Sequence, residues 1–271
     1  MAETVQSIST VEGSAIPARR AARYWEVDAW RGMAVITMII YHLGWDLAFF
    51  GVAGLDFQAV TSGGWYLLQR FTCISFITLA GLSLTLGDRA MQKKLGPGES
   101  TFPYFLRRGA TIFGWGMVIT LVMRVAGIGR VDFGVLHLIG FSIVAAWPLR
   151  RFKWLNLGLW AVFFVAGYFV ERTTVDTLWL VWLGFHPAYY PAVDYFPIIP
   201  WFGVALLGVF LGNLLYTDDG LVFTLPDWGN LAPVRFLRWL GSHSLVIYLT
   251  HQLVLFGVLF AIFYALGIIR F

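Results

Sequence analysis

The first strongly apolar stretch of the chain contains a histidine and an aspartate four residues apart, His42 and Asp46. In a helix these side chains are neighbours, and a carboxylate beside an imidazole can orient the ring and favour its charged form. A general base needs this arrangement. Arg31 lies 11 residues before His42, close to three helical turns and about 16 Å along the axis, so both project from nearly the same face. The pattern predicts a catalytic His42, with a hydrogen-bonded packing histidine as the alternative.

Other ionisable side chains fall inside or beside apolar segments, where an isolated charge costs roughly 2.5–3.5 kcal/mol and is a functional candidate by default. Asp28 precedes Arg31 by three residues and shares its helix face, although a structural ion pair at the helix end explains it equally well. Arg70, in the second apolar segment, is a plausible ion-pair partner for Asp46. The candidate substrate-binding residues are Asp28, Arg70, Arg124, His137, Asp194 and His251.

The composition requires lipid around most of the chain. The 271 residues are 59% hydrophobic and 13% charged, with a mean hydropathy of +0.73, whereas a soluble domain carries roughly a quarter charged residues. So much apolar surface cannot be enclosed in a soluble domain of this size. We therefore predict an all-α integral membrane protein. The 13 Trp and 11 Tyr suit the membrane interfaces, where both residue types concentrate.

Seven segments reach or approach the roughly 20 apolar residues that a spanning helix needs, which predicts a bundle of about seven transmembrane helices. The predicted spans are residues 27–49, 63–87, 109–127, 134–149, 154–171, 197–216 and 239–268. The fourth and fifth are short, and the last is long enough for a tilt or a break. Residues 178–185 are apolar but too short to cross, and the prolines that follow predict an interfacial or re-entrant piece.

The basic residues predict a cytoplasmic N-terminus. In that orientation 13 of the 19 lysines and arginines fall in cytoplasmic segments, as the positive-inside rule requires. Orientation therefore accounts for the net charge of +4 without a nucleic-acid partner. Residues 1–24 show no cleavable signal pattern and are expected to form a disordered cytoplasmic tail before a single domain at 25–271. The single cysteine, Cys73, excludes an internal disulfide, and the histidine spacings match no metal motif.

Four stretches of the sequence resemble membrane-bound acyltransferases. The first, residues 28–42 (DAWRGMAVITMIIYH), contains Arg31, ten residues and then His42. This resembles the arginine–ten residues–histidine pattern of the acyltransferase-3 family in its Asp-x-x-Arg-Gly context. The other three are similar to the heparan-α-glucosaminide N-acetyltransferase catalytic domain family: GVLHLIGFS at 134–142, VDYFPIIPWFGVALLGVFLG at 193–212 and LGSHSLVIYLTHQ at 240–252. Four blocks in this order are much more specific than any one of them.

The resemblance implies a transmembrane acyltransferase that takes acetyl from cytosolic acetyl-CoA and transfers it to a sugar hydroxyl or amine at the far side. It makes His42 the base or the acyl carrier and Arg31 its donor-side partner. We expect Asp46 to hold the imidazole tautomer, and Arg70 or Arg124 to stabilise the developing negative charge. The residues expected to neutralise the phosphates of CoA are Arg107, Arg108, Arg150 and Arg151. No metal is expected.

The chain departs from its larger relatives in two respects. Lysosomal members of the N-acetyltransferase family place their proposed catalytic histidine in the segment after the first span, but residues 51–62 contain no histidine here. The assignment of His42 therefore relies on the acyltransferase-3 pattern. Larger relatives also have more spans than this chain.

A second class of function stays open. Intramembrane Asp, Arg and His groups also form proton relays, and the Pro-rich region before Pro200 is like the discontinuous helices of carriers. The alternative is therefore a proton-coupled transporter or channel, and a structural membrane subunit explains the intramembrane charges less well. The expected partners are membrane lipids, acyl-CoA and a sugar or glycolipid acceptor, without nucleic acid. We expect a location in a bacterial inner membrane, where a homodimer is a reasonable oligomeric state.

Overall fold

The computed structural model describes residues 24–51, 54–96, 98–217, 220–226 and 228–268. The helices are α1 (Trp25–Phe49), α2 (Phe57–Val60), α3 (Gly63–Gln92), α4 (Phe102–Ala126), α5 (Val135–Ala145), α6 (Lys153–Val170), α7 (Ile198–Leu215), α8 (Ala232–Ser242) and α9 (Ser244–Ala265). Two short strands, β1 (Tyr216–Thr217) and β2 (Gly220–Leu221), pair antiparallel after α7. The predicted cytoplasmic tail, apart from Tyr24, lies outside the described residues, as does Arg270.

Six of these helices are long and apolar enough to cross a membrane: α1, α3, α4, α6, α7 and α9. The prediction of an all-α integral membrane protein is therefore confirmed. The fourth predicted span is an 11-residue helix, α5, which continues as turns to residue 151. The seventh predicted span is divided at His243 into α8 and α9, where the backbone leaves helical geometry.

The helices run between two ends of the bundle, which we call the Asp88 end and the Asp132 end after a carboxylate at each. Helices α1, α4, α6 and α9 begin at the Asp88 end, and α3, α5 and α7 begin at the Asp132 end. Short as it is, α5 still joins the two ends. Its first N–H donates to Asp194 in the loop before α7, while Arg150, beyond its last turn, pairs with Asp88 near the end of α3.

Helices α3 and α7 pack with their backbones in contact because glycines line the seam. A Cβ added at Gly208 would lie 2.0 Å from the carbonyl oxygen of Thr78, and one added at Gly81 would lie 1.9 Å from that of Ala205. Gly208 and Gly212 form a GxxxG pair, the small-residue spacing that lets membrane helices approach closely. The seam places α3 at the centre of the bundle, where it also contacts α1 and α5.

A second backbone seam joins α1 to α8. A Cβ at Gly32 would lie 2.0 Å from the carbonyl oxygen of Leu237, and a Cβ at Gly241 would lie 1.9 Å from that of Asp28. The opposite side of α8 leaves Phe236 and Trp239 exposed. Helix α8 therefore anchors the start of α9 to the start of α1.

The buried apolar core lies mainly among α3, α4, α5 and α7, around side chains such as Phe105, Leu138 and Leu206. Large apolar side chains also cover the outside of the bundle; Val125 is 80% exposed and Leu253 is 73% exposed. These outward faces need a lipid solvent. At the Asp132 end, the short apolar piece at 178–185 forms turns that leave Trp179 86% exposed, which suits a membrane interface.

Candidate active site

Two histidine rings meet inside the bundle where α1 packs against α9. The ring centroids of His42 and His251 are 4.7 Å apart, with the rings nearly perpendicular. Nδ1 of His42 lies 2.9 Å from the carbonyl oxygen of Met38, and Nδ1 of His251 lies 2.8 Å from that of Tyr248. A carbonyl oxygen can only accept, so in each ring Nδ1 carries the hydrogen and Nε2 keeps a lone pair. Nε2 of His251 is buried without a hydrogen-bond partner among the described residues, and the one hydrogen bond of His42 within them is made by Nδ1.

Asp46 pairs with the opposite helix and not with His42. Nε2 of Gln252 donates to Asp46 Oδ1 at 2.5 Å, and within the described part of the chain Oδ2 of this buried carboxylate has no partner. The expected contact between Asp46 and the imidazole is therefore not formed. Side chains in a helix lean towards its N-terminus, so the ring of His42 lies over Met38, one turn back, and away from Asp46, one turn ahead.

Arg70 also lacks its expected partner, because no carboxylate among the described residues lies within ion-pair distance of it. Its guanidinium packs over the rings of Tyr66, at 4.8 Å, and Trp201, at 5.2 Å. Its Nε is buried without a hydrogen-bond partner in the described structure. The cation is therefore held by aromatic faces at the junction of α3 and α7, and the predicted pairing with Asp46 is wrong.

Arg31 makes the predicted ion pair with Asp28, at 2.9 Å. It also donates to the hydroxyl of Ser83 on α3, at 2.7 Å. Asp28 is buried, and its own backbone carbonyl lies against Gly241 in the α1–α8 seam. Arg31 is thus fixed by contacts to two helices and presents a positive charge to the space between them.

That space is a cavity of about 520 Å³ on the Asp88 side of the histidines. Its walls are mostly apolar and include Phe76, Leu136 and Leu245. The charged side chains that line it are Arg31, Arg107 and Arg108, so it combines an apolar interior with three guanidinium groups. A ligand with a long uncharged arm and an anionic head would match this lining.

Tyr248 stands between the cavity and the histidine pair. It lines the cavity, its ring centroid is 5.9 Å from that of His251, and its carbonyl holds His251 Nδ1. His42 and His251 themselves are not among the described residues that line the cavity. Tyr248 therefore connects the wall of the cavity to the histidine pair.

Arg150 and Arg151 lie at a different pocket, on the other side of α3. Nε of Arg150 is 2.8 Å from Asp88 Oδ1, and Nε of Arg151 is 3.9 Å from Asp88 Oδ2. The Arg150 guanidinium also packs 3.8 Å from the ring centre of Trp147. The four arginines expected to contact CoA are thus divided between two pockets, two in each.

Asp132 gathers several polar groups at the opposite end of the bundle. Its carboxylate pairs with Arg130, accepts the Tyr190 hydroxyl at 2.6 Å and lies 3.5 Å from Arg124, whose side chain is 72% exposed. Burial raises the pKa of Asp132, but the hydrogen bonds from Tyr190 and Arg130 and the charges of both arginines outweigh burial and hold it below its usual value. Arg124 therefore lies in a surface ion cluster, away from the histidine pair.

Asp194 and His137 organise the start of α5. The carboxylate of Asp194 accepts the N–H of Val135 at 3.2 Å, and burial raises the pKa of this carboxyl to about 6 although that hydrogen bond lowers it in part. His137 is 1% exposed, and its Nδ1 accepts the N–H of Gly134 at 3.1 Å. The ring is enclosed by aromatic neighbours such as Phe133. This position indicates that His137 caps the helix.

Comparison with known families decides the class of protein. The family model described as heparan-alpha-glucosaminide N-acetyltransferase, catalytic, matches residues 23–253. The chain belongs to this family. Membership covers the histidine pair, the cavity and the α1–α8 seam, and it suggests a transmembrane acetyltransferase. Searches of curated proteins and of solved structures find no significant match.

Residues that the sequence reasoning missed complete the N-acetyltransferase-like site. Gln252, Tyr248 and Ser83 were not candidates, yet they contact Asp46, His251 and Arg31 respectively. The signal available for Gln252 was an amide beside His251 in an apolar helix. In the described residues no group of three or more His, Cys, Asp or Glu side chains could hold a metal ion.

Proposed function

We propose that this member of the N-acetyltransferase family transfers an acetyl group from acetyl-CoA to a hydroxyl or amine of a sugar or glycolipid across the membrane, with His42 as general base or transient acyl carrier. The observation that carries the proposal is the state of the His42 ring. Met38 fixes its Nδ1–H, and its Nε2 keeps a free lone pair inside a spanning helix. Such a nitrogen can accept a proton or attack a thioester.

Two reaction routes for acetyl transfer fit this proposal. In direct transfer, Nε2 of His42 removes the proton of the acceptor as the acceptor oxygen or nitrogen attacks the thioester carbonyl. The carbon–sulfur bond breaks, and the imidazolium returns the proton to the departing thiolate. In the covalent route, Nε2 attacks first and releases the thiolate, and the acceptor then displaces the imidazole while its proton passes to the sulfur. In both routes Nδ1–H stays on the Met38 carbonyl, which stabilises the positive ring.

The donor is proposed to enter the cavity that holds Arg31, Arg107 and Arg108. Guanidinium groups bind phosphate oxygens well because their paired N–H donors match the phosphate geometry. The apolar walls suit the pantetheine arm, which would extend past Tyr248 towards the histidine pair. Arg31 and His42 are about 16 Å apart along α1, so the proposed phosphate site and the proposed reaction centre are separated by about the length of an extended pantetheine arm. Arg150 and Arg151 have no part in this donor assignment.

The acceptor is proposed to approach from the Asp132 side. Three buried polar atoms there have no partner among the described residues: Asp46 Oδ2, Gln252 Oε1 and Arg70 Nε. Unpaired buried groups are costly, at about 1–3 kcal/mol each, and the hydroxyls of a sugar would satisfy both donors and acceptors. Asp194, whose carboxyl is within electrostatic range of Tyr248, is a further candidate on this side.

The Asp88 end is proposed to face the cytoplasm. Arg89, Arg107, Arg108, Arg150 and Arg151 all lie at this end, and the positive-inside rule places such clusters on the cytoplasmic side. This orientation brings the donor cavity to the compartment that contains acetyl-CoA.

A proton-coupled transporter is the second candidate, because His42, His251 and Asp46 could also relay protons. An assay in liposomes distinguishes the two functions. A transporter moves protons or solute without any acyl donor, whereas the proposed enzyme transfers labelled acetyl only when acetyl-CoA and an acceptor are both present.

The test is transfer of labelled acetyl to a panel of sugar acceptors by purified protein. His42→Ala should reduce transfer about 10²–10⁴-fold, the usual contribution of a general base, while acetyl-CoA binding measured by calorimetry is retained. His243→Ala is the matched control, since that histidine is exposed at the α8–α9 break and should leave transfer intact. Full transfer by His42→Ala would remove His42 from the mechanism, and loss of transfer in both variants would indicate damage to the fold.

A further inference from the structure

A second pocket lies at the Asp88 end, separated from the donor cavity by α3. Its volume is about 520 Å³, within the range of small-molecule sites. The described residues that line it all have polar or charged side chains: Thr85, Asp88, Arg89, Gln92, Lys93, Arg150, Arg151 and Asn213. In a chain with 13% charged residues, such a set of side chains suits a ligand with a charged group.

Three arginines line this pocket: Arg89, Arg150 and Arg151. Among the described residues that line it, Asp88 is the one carboxylate. The carboxylate of Asp88 already forms an ion pair with the Nε of Arg150, and its Oδ1 accepts a hydrogen bond from the hydroxyl of Thr101. A structural clamp between α3 and the α5–α6 turn needs only this arginine, so Arg89 and Arg151 require a different explanation.

Arg89 is held in place by neutral groups. Its guanidinium donates to the carbonyl oxygen of Tyr216 and, at 3.0 Å, to the side-chain oxygen of Asn213. No carboxylate in the described part of the chain pairs with it. Its orientation is therefore fixed by neutral partners in the described structure, which suits an anion-binding arginine.

Arg151 is held less tightly than Arg89. Its side chain is 66% exposed, and its approach of 3.9 Å to Asp88 is at the limit of an ion pair. Such an exposed contact contributes little, so the guanidinium can turn to a ligand at low cost.

We propose that this pocket binds a phosphate group as a site separate from the donor cavity. Arg89 supplies a guanidinium that is held in place, and Arg151 supplies an exposed one. A planar guanidinium donates two parallel hydrogen bonds to the oxygens of a phosphate. The pocket opens where the spanning helices end, and basic pockets at that level bind the phosphates of anionic lipid headgroups. A water-soluble phosphate would use the same contacts.

The test uses the purified full chain in neutral detergent. Dihexanoyl-phosphatidylglycerol, dihexanoyl-phosphatidylcholine and inorganic phosphate are titrated separately, and binding is followed by calorimetry and native mass spectrometry. We expect the anionic lipid to bind more tightly than the zwitterionic one, because choline adds a cation beside the arginines. Arg151→Gln, at an exposed position that folding does not need, should weaken anion binding about fivefold, as expected for one basic residue near a charged surface.

The control is Arg235→Gln, which removes an exposed arginine from α8 at the same end but outside the pocket and should leave the affinity unchanged. Binding of phosphatidylglycerol without competition from inorganic phosphate identifies a lipid headgroup, and competition identifies a soluble phosphate. Equal affinity for both lipids, no binding of any probe, or equal weakening by both variants would overturn the proposal. Weaker acetyl-CoA binding in Arg151→Gln would also overturn it, because the pocket would then belong to the donor site.

Discussion

Gly32→Ala should weaken the seam between α1 and α8. The new Cβ would lie 2.0 Å from the carbonyl oxygen of Leu237, whereas a carbon–oxygen contact normally needs about 3.3 Å. The backbone of α8 must therefore move by about 1 Å or more. Overpacking of this kind costs about 1–3 kcal/mol, and alanine recovers up to about 1 kcal/mol as the better helix former. We expect a net loss of about 1–2 kcal/mol and an apparent Tm lower by several degrees.

The measurement is the apparent Tm of purified protein in detergent, followed by intrinsic fluorescence and by the monodisperse fraction left after heating. Acetyl transfer is measured on the same samples below the transition. Because α8 leads through His243 into α9, which carries His251, the displaced seam should also lower transfer.

Gly257→Ala is the matched control. Gly257 is in the middle of α9 with no neighbouring atom within 4 Å of its added Cβ, so alanine should keep or slightly raise the Tm. A Gly32→Ala protein with the Tm and transfer of the unmodified chain would refute the close approach of α1 and α8. Equal losses in both variants would show that glycine flexibility, and not the seam, is responsible.

Three further predictions concern the carboxylates of Asp194, Asp132 and Asp46. Burial raises the pKa of Asp194 in the folded chain to about 6 from 3.8, so its stabilising contribution is full below about pH 4 and is lost as the pH rises through about 6; Asp194→Asn should flatten that fall in a Tm–pH series. Asp132→Asn should instead lower the Tm above about pH 4, since the pKa of Asp132 is held down in the folded state, and the same sign for both variants would contradict this reasoning. Gln252→Leu leaves the carboxylate of Asp46 without a described donor and should cost about 1–3 kcal/mol in thermal or denaturant unfolding, whereas Gln58→Leu at an exposed position should cost little.

The helical segments were predictable because each is long and apolar, and because charges mark their ends. The same logic predicted the Arg31–Asp28 pair, whose members are one turn apart on one helix. The predicted contact between Asp46 and His42 was wrong. A spacing of four residues places two side chains on the same face of a helix, but it does not show in which direction the imidazole ring points. The fourth span was also predicted too long, because hydropathy does not detect where turns replace helix after Ala145.

Hydropathy and motif spacing were enough to predict a helical membrane chain, its family and the position of His42 in its first span. The folded chain was needed to show that His42 meets His251, that Gln252 binds Asp46 across 206 residues, and that the predicted CoA arginines lie in two pockets. This difference arises because a membrane helix is apolar both towards lipid and towards protein. Hydropathy therefore predicts that a segment crosses the bilayer but contains little information about which helix it packs against. That choice depends on close backbone contacts such as those at Gly32 and Gly208, which form only once the chain is folded.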